Sequence, residues 1–138
     1  MTRIKKKRIL VVDYEHDSNL LLKTILERNG FIVDCFDDPF VAMENFRSNL
    51  FSLVILNIKL PIFNGFQLYR EIKKRDKKVK VCFITDGEMY YGVYTDIFNS
   101  LDENCFIRKP INYDDLLVRL GKIIKMPELN TLNNKLVD

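Results

Sequence analysis

Residues 53 to 65 read LVILNIKLPIFNG, and this stretch decides the architecture. Leu53, Val54, Ile55 and Leu56 form an unbroken apolar run, which suits a strand covered on both faces. The run stops at Asn57. A loop with Pro61 and Gly65 follows, and Phe66, Leu68, Tyr69 and Ile72 then recur at helical spacing. Asn64 is placed to cap that helix with its side-chain oxygen. The whole is one strand-turn-helix unit.

The same alternation runs outward in both directions. Upstream, Ile9 to Val12 stop at Asp13, and a helix carrying Leu21, Leu22, Ile25 and Leu26 runs to a glycine stop at Gly30. Phe31 to Phe36 is strand-like, and Asp38 with Pro39 caps and opens a helix with Ala42, Met43 and Phe46 on one face. Downstream, Val79 to Ile84 end at Thr85 and precede a tyrosine-rich stretch through Phe98. Cys105, Phe106 and Ile107 then lead into Arg108, Lys109 and Pro110. In the last helix Asn112 is the cap, Asp114 and Asp115 sit where the helix dipole favours acids, and Leu116, Leu117, Leu120, Ile123 and Ile124 are available for burial. Five apolar strands separated by helices predict a parallel sheet with crossover connections.

With 138 residues, 47% of them hydrophobic, the chain fits one domain with a real core. The expected organisation is a basic leader at 1–7, the domain at 8–125 and a polar tail at 126–138. No apolar run reaches the roughly 20 residues of a membrane span, and the charged N-terminus lacks a signal-peptide core, so the expectation is a soluble cytoplasmic protein. Cys35, Cys82 and Cys105 are unevenly spaced within apolar segments and read as reduced core residues, and with His16 the sole histidine a zinc site is not expected. The net charge of +3 is concentrated at Arg3 to Arg8 and Lys73 to Lys80, which read as solvated charge. Nucleic acid binding through the leader is the lesser alternative.

In an open parallel sheet the working groups gather at the carboxyl ends of the strands, here Asp13, Asn57, Thr85 and Lys109. Around them LVVDYEHD (10 to 17), LVILNIKLPIFNG (53 to 65), VCFITDG (81 to 87) and CFIRKPI (105 to 111) together resemble the CheY-like response-regulator receiver domains of two-component and phosphorelay signalling. The resemblance covers about residues 7 to 125. It implies a flavodoxin-like (βα)5 three-layer sandwich of sheet order 2-1-3-4-5, an order for which a family member is a standing example. It also implies an acidic pair closing strand one, a phosphate-accepting aspartate closing strand three, a hydroxyl closing strand four and a Lys-Pro after strand five. Family chemistry is attack of that aspartate on a phosphodonor, with a divalent ion among the carboxylates and the lysine and hydroxyl binding the phosphoryl oxygens. Thr85 and Phe106 would be the switch pair, and Pro110 the site of a cis peptide.

The pocket departs from that pattern at three places. Asn57 replaces the acceptor, and a carboxamide is a poor nucleophile. Tyr14 replaces the second acid of the pair and removes a metal ligand, leaving Asp13 as the residual one. Asp86, after Thr85, puts negative charge where the family generally has a small residue. A change engineered to silence a normal receiver would alter one position, whereas three differ here. These departures predict an atypical single-domain response regulator, a pseudo-receiver and not an enzyme, that works by protein contacts with a sensor kinase or effector. No cofactor is expected and magnesium affinity should be weak or absent. Asp13 and Lys109 should pair directly, with Asp86 as a possible third member. The alternative is a phosphorylation-competent receiver, natural or carrying an engineered Asp→Asn acceptor. Tyr90, Tyr91 and Tyr94, in an unusually aromatic fourth helix, are candidates for a homodimer or partner face.

Overall fold

The structure is a computed structural model that describes residues 6–60, 62–86, 95–101 and 103–125. Within these the chain runs β1 (Arg8–Val12), α1 (His16–Arg28), β2 (Ile32–Phe36), α2 (Pro39–Asn45), β3 (Leu53–Asn57), α3 (Gly65–Arg75), β4 (Lys80–Thr85), α4 (Thr95–Ser100), β5 (Phe106–Arg108) and α5 (Tyr113–Lys125). The strands form one five-stranded sheet of order β2-β1-β3-β4-β5, and every neighbouring pair is parallel. This is the sandwich the resemblance implies.

Residues alternate between the two faces of each strand, and two separate cores result. Leu10, Val12, Val54, Leu56, Val81 and Phe83 face one way and pack with Ala42, Phe66, Leu68 and Ile72. Ile9, Val11, Leu53, Ile55, Cys82 and Ile84 face the other way and meet Leu22, Leu26, Leu116, Leu120 and Ile123. Each fully buried aliphatic or aromatic side chain contributes about 1.5–3 kcal/mol of hydrophobic stabilisation. A sheet apolar on both faces is therefore stable only with helices on both.

Capping follows the sequence. Asp38 accepts from the Phe40 and Val41 N–H groups. Asn64 and Gln67 form a reciprocal capping box at α3, and Asn112 accepts from the Asp115 N–H at α5. Gly65 opens α3 hard against β3: a Cβ there would collide with the Asn57 carbonyl oxygen and lie 2.9 Å from Ile58 Cα. Only glycine permits that approach.

Several expectations need correction. Strands two, four and five each begin one residue later than read, and Cys105 lies instead in a 3-10 turn spanning Glu103–Cys105. Leu21 is 48% exposed, because α1 buries only one stripe, through Asn19, Leu22 and Leu26. Phe46 is buried but lies just past the end of α2. Of the three cysteines, all free thiols, Cys35 is only half-buried, and that burial lifts its thiol pKa to about 11. Met89, Tyr90, Tyr91 and Tyr94, Pro61, leader residues 1–5 and the 126–138 tail lie outside the described residues. No described helix is long and apolar enough to cross a membrane.

Candidate functional site

The parallel sheet brings the ends of β1, β3, β4 and β5 together. Asp13 follows β1, its N–H held by the Phe36 carbonyl at 3.1 Å. Asn19, one turn into α1, donates from Nδ2 to the Asp13 carbonyl (2.8 Å) and the Phe36 carbonyl (3.0 Å), tying the ends of β1 and β2 to that helix. Its Oδ1 is buried without a hydrogen-bond partner among the described residues. Asn57 closes β3, and the next peptide is held by the Ile84 carbonyl through the Ile58 N–H (2.9 Å). Lys109 follows β5 with its N–H on the Thr85 carbonyl (2.7 Å), and the Lys109-Pro110 peptide is cis.

At the centre stands Asp13, with 0% exposure. Its Oδ1 accepts from Asn57 Nδ2 (3.0 Å) and from the Glu15 N–H (3.0 Å). Its Oδ2 is 2.9 Å from Lys109 Nζ. Asn57, also fully buried, uses both ends of its amide, because Oδ1 accepts from the Lys59 N–H at 2.9 Å. Asp13 Oδ1 is thereby satisfied by two N–H donors, while Oδ2 has no hydrogen bond and meets the Lys109 ammonium as an ion pair.

Lys109 is shared. Its Nζ also lies 3.0 Å from Glu15 Oε1 and 5.9 Å from the Tyr14 ring centroid. Burial works against the ammonium, yet its close contacts with the Asp13 and Glu15 carboxylates outweigh it and hold the Lys109 pKa above its ordinary value. Glu15, not Asp86, is thus the third member of the ion-pair group. Asp86 is exposed and stands beside Tyr14, whose hydroxyl reaches its Oδ2 at 3.5 Å. Partial desolvation, followed by Asp86 and Glu15, raises the Tyr14 pKa and keeps the phenol neutral.

Thr85 is buried at the end of β4. Phe106 is half-buried and stacks on Phe83 (5.7 Å, 17°), which in turn meets Phe66 at 4.9 Å and Tyr69 at 5.5 Å. The second switch position is therefore packed against the core. Glu15 and Asn19 were not singled out in the sequence. Glu15 sits in the quoted run, but nothing linear announces that its side chain reaches Lys109, 94 positions away. A mid-helix asparagine likewise gives no signal of its strand-end contacts.

The response regulator receiver domain family matches residues 9–121. The chain belongs to that family. Response regulator receiver protein CpdR of Brucella abortus is 34% identical over 118 residues, 86% of this chain and 97% of its own length. The non-phosphorylated HemR receiver domain from Leptospira biflexa superposes with a TM-score of 0.78 at 30% identity, covering 89% of this chain and 98% of that one. A CheY-like receiver from Methanospirillum hungatei does so with a TM-score of 0.77 at 26% identity, over 87% of this chain and 94% of its own. The chain spans 50% of the length of transcriptional regulatory protein RprY of Bacteroides fragilis, to which it is 22% identical. It is a receiver domain of two-component signalling.

Receiver chemistry implies a divalent cation between carboxylates, and the donor set of this pocket does not fit one. Among the described residues Asp13 is its single buried carboxylate; its Oδ1 takes two N–H donors, and its Oδ2, without a hydrogen bond, faces the Lys109 ammonium at 2.9 Å. The side chain at 57 turns an N–H toward Asp13, where a second anionic ligand would be required.

Proposed function

We propose that this receiver is a pseudo-receiver, transmitting through protein contacts without forming an aspartyl phosphate. The observation that carries the reading is the two-sided engagement of Asn57, whose Nδ2 donates to Asp13 and whose Oδ1 accepts from the Lys59 N–H. An amide oxygen is a weak nucleophile toward phosphorus, and this one is further committed to a backbone donor. Lys109, which in the family would receive phosphoryl oxygens, is instead held by Asp13 and Glu15. Asp86 and Glu15 add negative charge at the mouth, which opposes an incoming phosphodonor anion.

On this reading the domain is not an enzyme. It acts in the cytoplasm on a sensor kinase or effector protein and needs no cofactor, and the tyrosine-rich segment at 89–94 is the candidate face for a partner or a second copy. The test is incubation with a small phosphodonor and magnesium, followed by intact-mass measurement. An unchanged mass is expected. Gain of one phosphoryl group on the intact chain would overturn the reading.

A further inference from the structure

Far from this pocket, at the amino end of the sheet, a hollow of about 300 Å3 opens between the starts of β1, β3 and β4 and the end of α5. Its wall joins basic residues remote in sequence: Lys7 before β1, Lys78 in the α3–β4 connection, and Lys80 opening β4. Asn49 and Ser52 add an amide and a hydroxyl. Phe51, Val79 and Ile124 supply apolar wall. In the chain these cations look like two unrelated solvated runs; the fold brings them to one rim.

Among the described residues the one acid on that wall is spent. Asp76 is 5% exposed, and its oxygens accept from the backbone N–H groups of Asn49 (2.9 Å), Lys78 (3.0 Å) and Val79 (3.2 Å). Those bonds tie the loop before β3 to the loop before β4 and so hold the hollow open. Among the described residues neither Lys7 nor Lys78 has an ion-pair partner. Lys80 reaches the Ile124 carbonyl at 3.3 Å, which carries its ammonium across the hollow toward the end of α5. Further positive charge flanks the site from the last turns of α3 (Lys73, Lys74, Arg75) and α5 (Lys122, Lys125). Part of it is committed, since Lys73 binds the Lys77 and Val79 carbonyls and Lys74 pairs with Glu71.

We propose that this hollow is a binding site for a compact anion bearing adjacent phosphates, of the diphosphate class. Lysine ammoniums are point charges suited to phosphate oxygens, and hydroxyl and amide side chains are common companions at such sites. The volume falls at the small end of ligand pockets and leaves room beyond a bare diphosphate group. The proposal is independent of the state of residue 57.

Calorimetric titration of the full chain with inorganic diphosphate should give saturable binding, and backbone amide shifts should centre on Lys7, Ser52, Lys78 and Lys80. Lys7→Glu with Lys78→Glu, both at exposed positions, should weaken it by about tenfold or more. Arg108→Glu, a single charge reversal at the opposite end of the sheet and so half the charge change of the double variant, should alter it less than about threefold. A nucleoside diphosphate serves as a second probe. Equal affinity assigns the site to the bare diphosphate, and tighter binding adds the apolar wall as a base contact; either supports it. Absence of binding at millimolar diphosphate overturns the proposal, as do shifts centred elsewhere. Equal losses in the Lys7/Lys78 and Arg108 variants overturn it too, as does binding of random duplex where diphosphate fails. The shift map on the unmodified chain decides the matter even if a variant does not fold.

Discussion

Lys109 Nζ lies 2.9 Å from Asp13 Oδ2, with the lysine side chain 13% exposed and the carboxylate not exposed at all. The same ammonium is 3.0 Å from Glu15, whose side chain is 44% exposed. Two contacts of nearly equal length therefore differ sharply in surroundings. Losing a partner from a buried pair leaves an uncompensated charge, whereas surface pairs are worth little.

Lys109→Met should accordingly lower the unfolding free energy by about 3 kcal/mol, the low end of the usual range because two N–H donors still serve Asp13. Glu15→Gln should cost about 0.2–1 kcal/mol. Urea titrations with unchanged slope measure both. Equal losses in the two variants would show that the distinction by burial is mistaken.

Asn57→Asp should bring back a demand for metal. It replaces a donor 3.0 Å from Asp13 Oδ1 with an acceptor, costing about 1–3 kcal/mol in metal-free buffer through an unmet hydrogen bond and like-charge repulsion. Millimolar magnesium should recover much of that loss, since a ligand bound only by the folded state stabilises it by mass action. The unmodified chain should melt at the same temperature with and without magnesium. A clear rise for the unmodified chain counts against the pocket described above.

Alkaline pH should weaken the fold through the same group. The folded-state pKa of Lys109 is raised above its ordinary 10.5, so the folded state retains a proton that the unfolded chain gives up. Its stabilisation is complete below that ordinary value and is lost as pH climbs through the raised one. Tyr14, raised above 10.0, acts in the same direction. Stability curves of the unmodified chain and Lys109→Met should therefore converge above pH 10.5, measured by chemical denaturation across the alkaline range. A gap that stays constant there would refute the assignment.

Ile62 sits in the β3–α3 loop with φ at +67° and its side chain 92% exposed. A β-branched residue in the left-handed region costs about 1–2 kcal/mol, and no burial offsets it. Glycine removes that strain but adds about 0.5–1 kcal/mol of backbone entropy loss. Ile62→Gly should raise the melting temperature by about 2–5 °C, and a fall in a thermal scan would mean the loop is not strained.

Much of this receiver was legible in its sequence, for identifiable reasons. Short β-branched apolar runs such as Leu53 to Leu56 suit doubly covered strands, and Asp38, Asn64 and Asn112 cap the helices they precede. Strand ends named Asp13, Asn57, Thr85 and Lys109 as neighbours. What escaped was side-chain reach. Whether Glu15 or Asp86 completes the group around Lys109 depends on the path of the β1–α1 loop, and periodicity says nothing of it. The three consecutive leucines at 20 to 22 likewise gave no means of telling that Leu22 faces inward while Leu20 and Leu21 do not. The rim of lysines at the far end of the sheet is a product of topology, invisible to any local window.

The amide of Asn57 faces a carboxylate on one side and a backbone N–H on the other, and only a group that both gives and takes a proton bridge can serve the two at once. An acid at this place would keep the Lys59 N–H but turn a second anion toward Asp13. The amide at 57 is thus a structural joint between β1 and the β3–α3 loop, one that a carboxylate could complete on only one side.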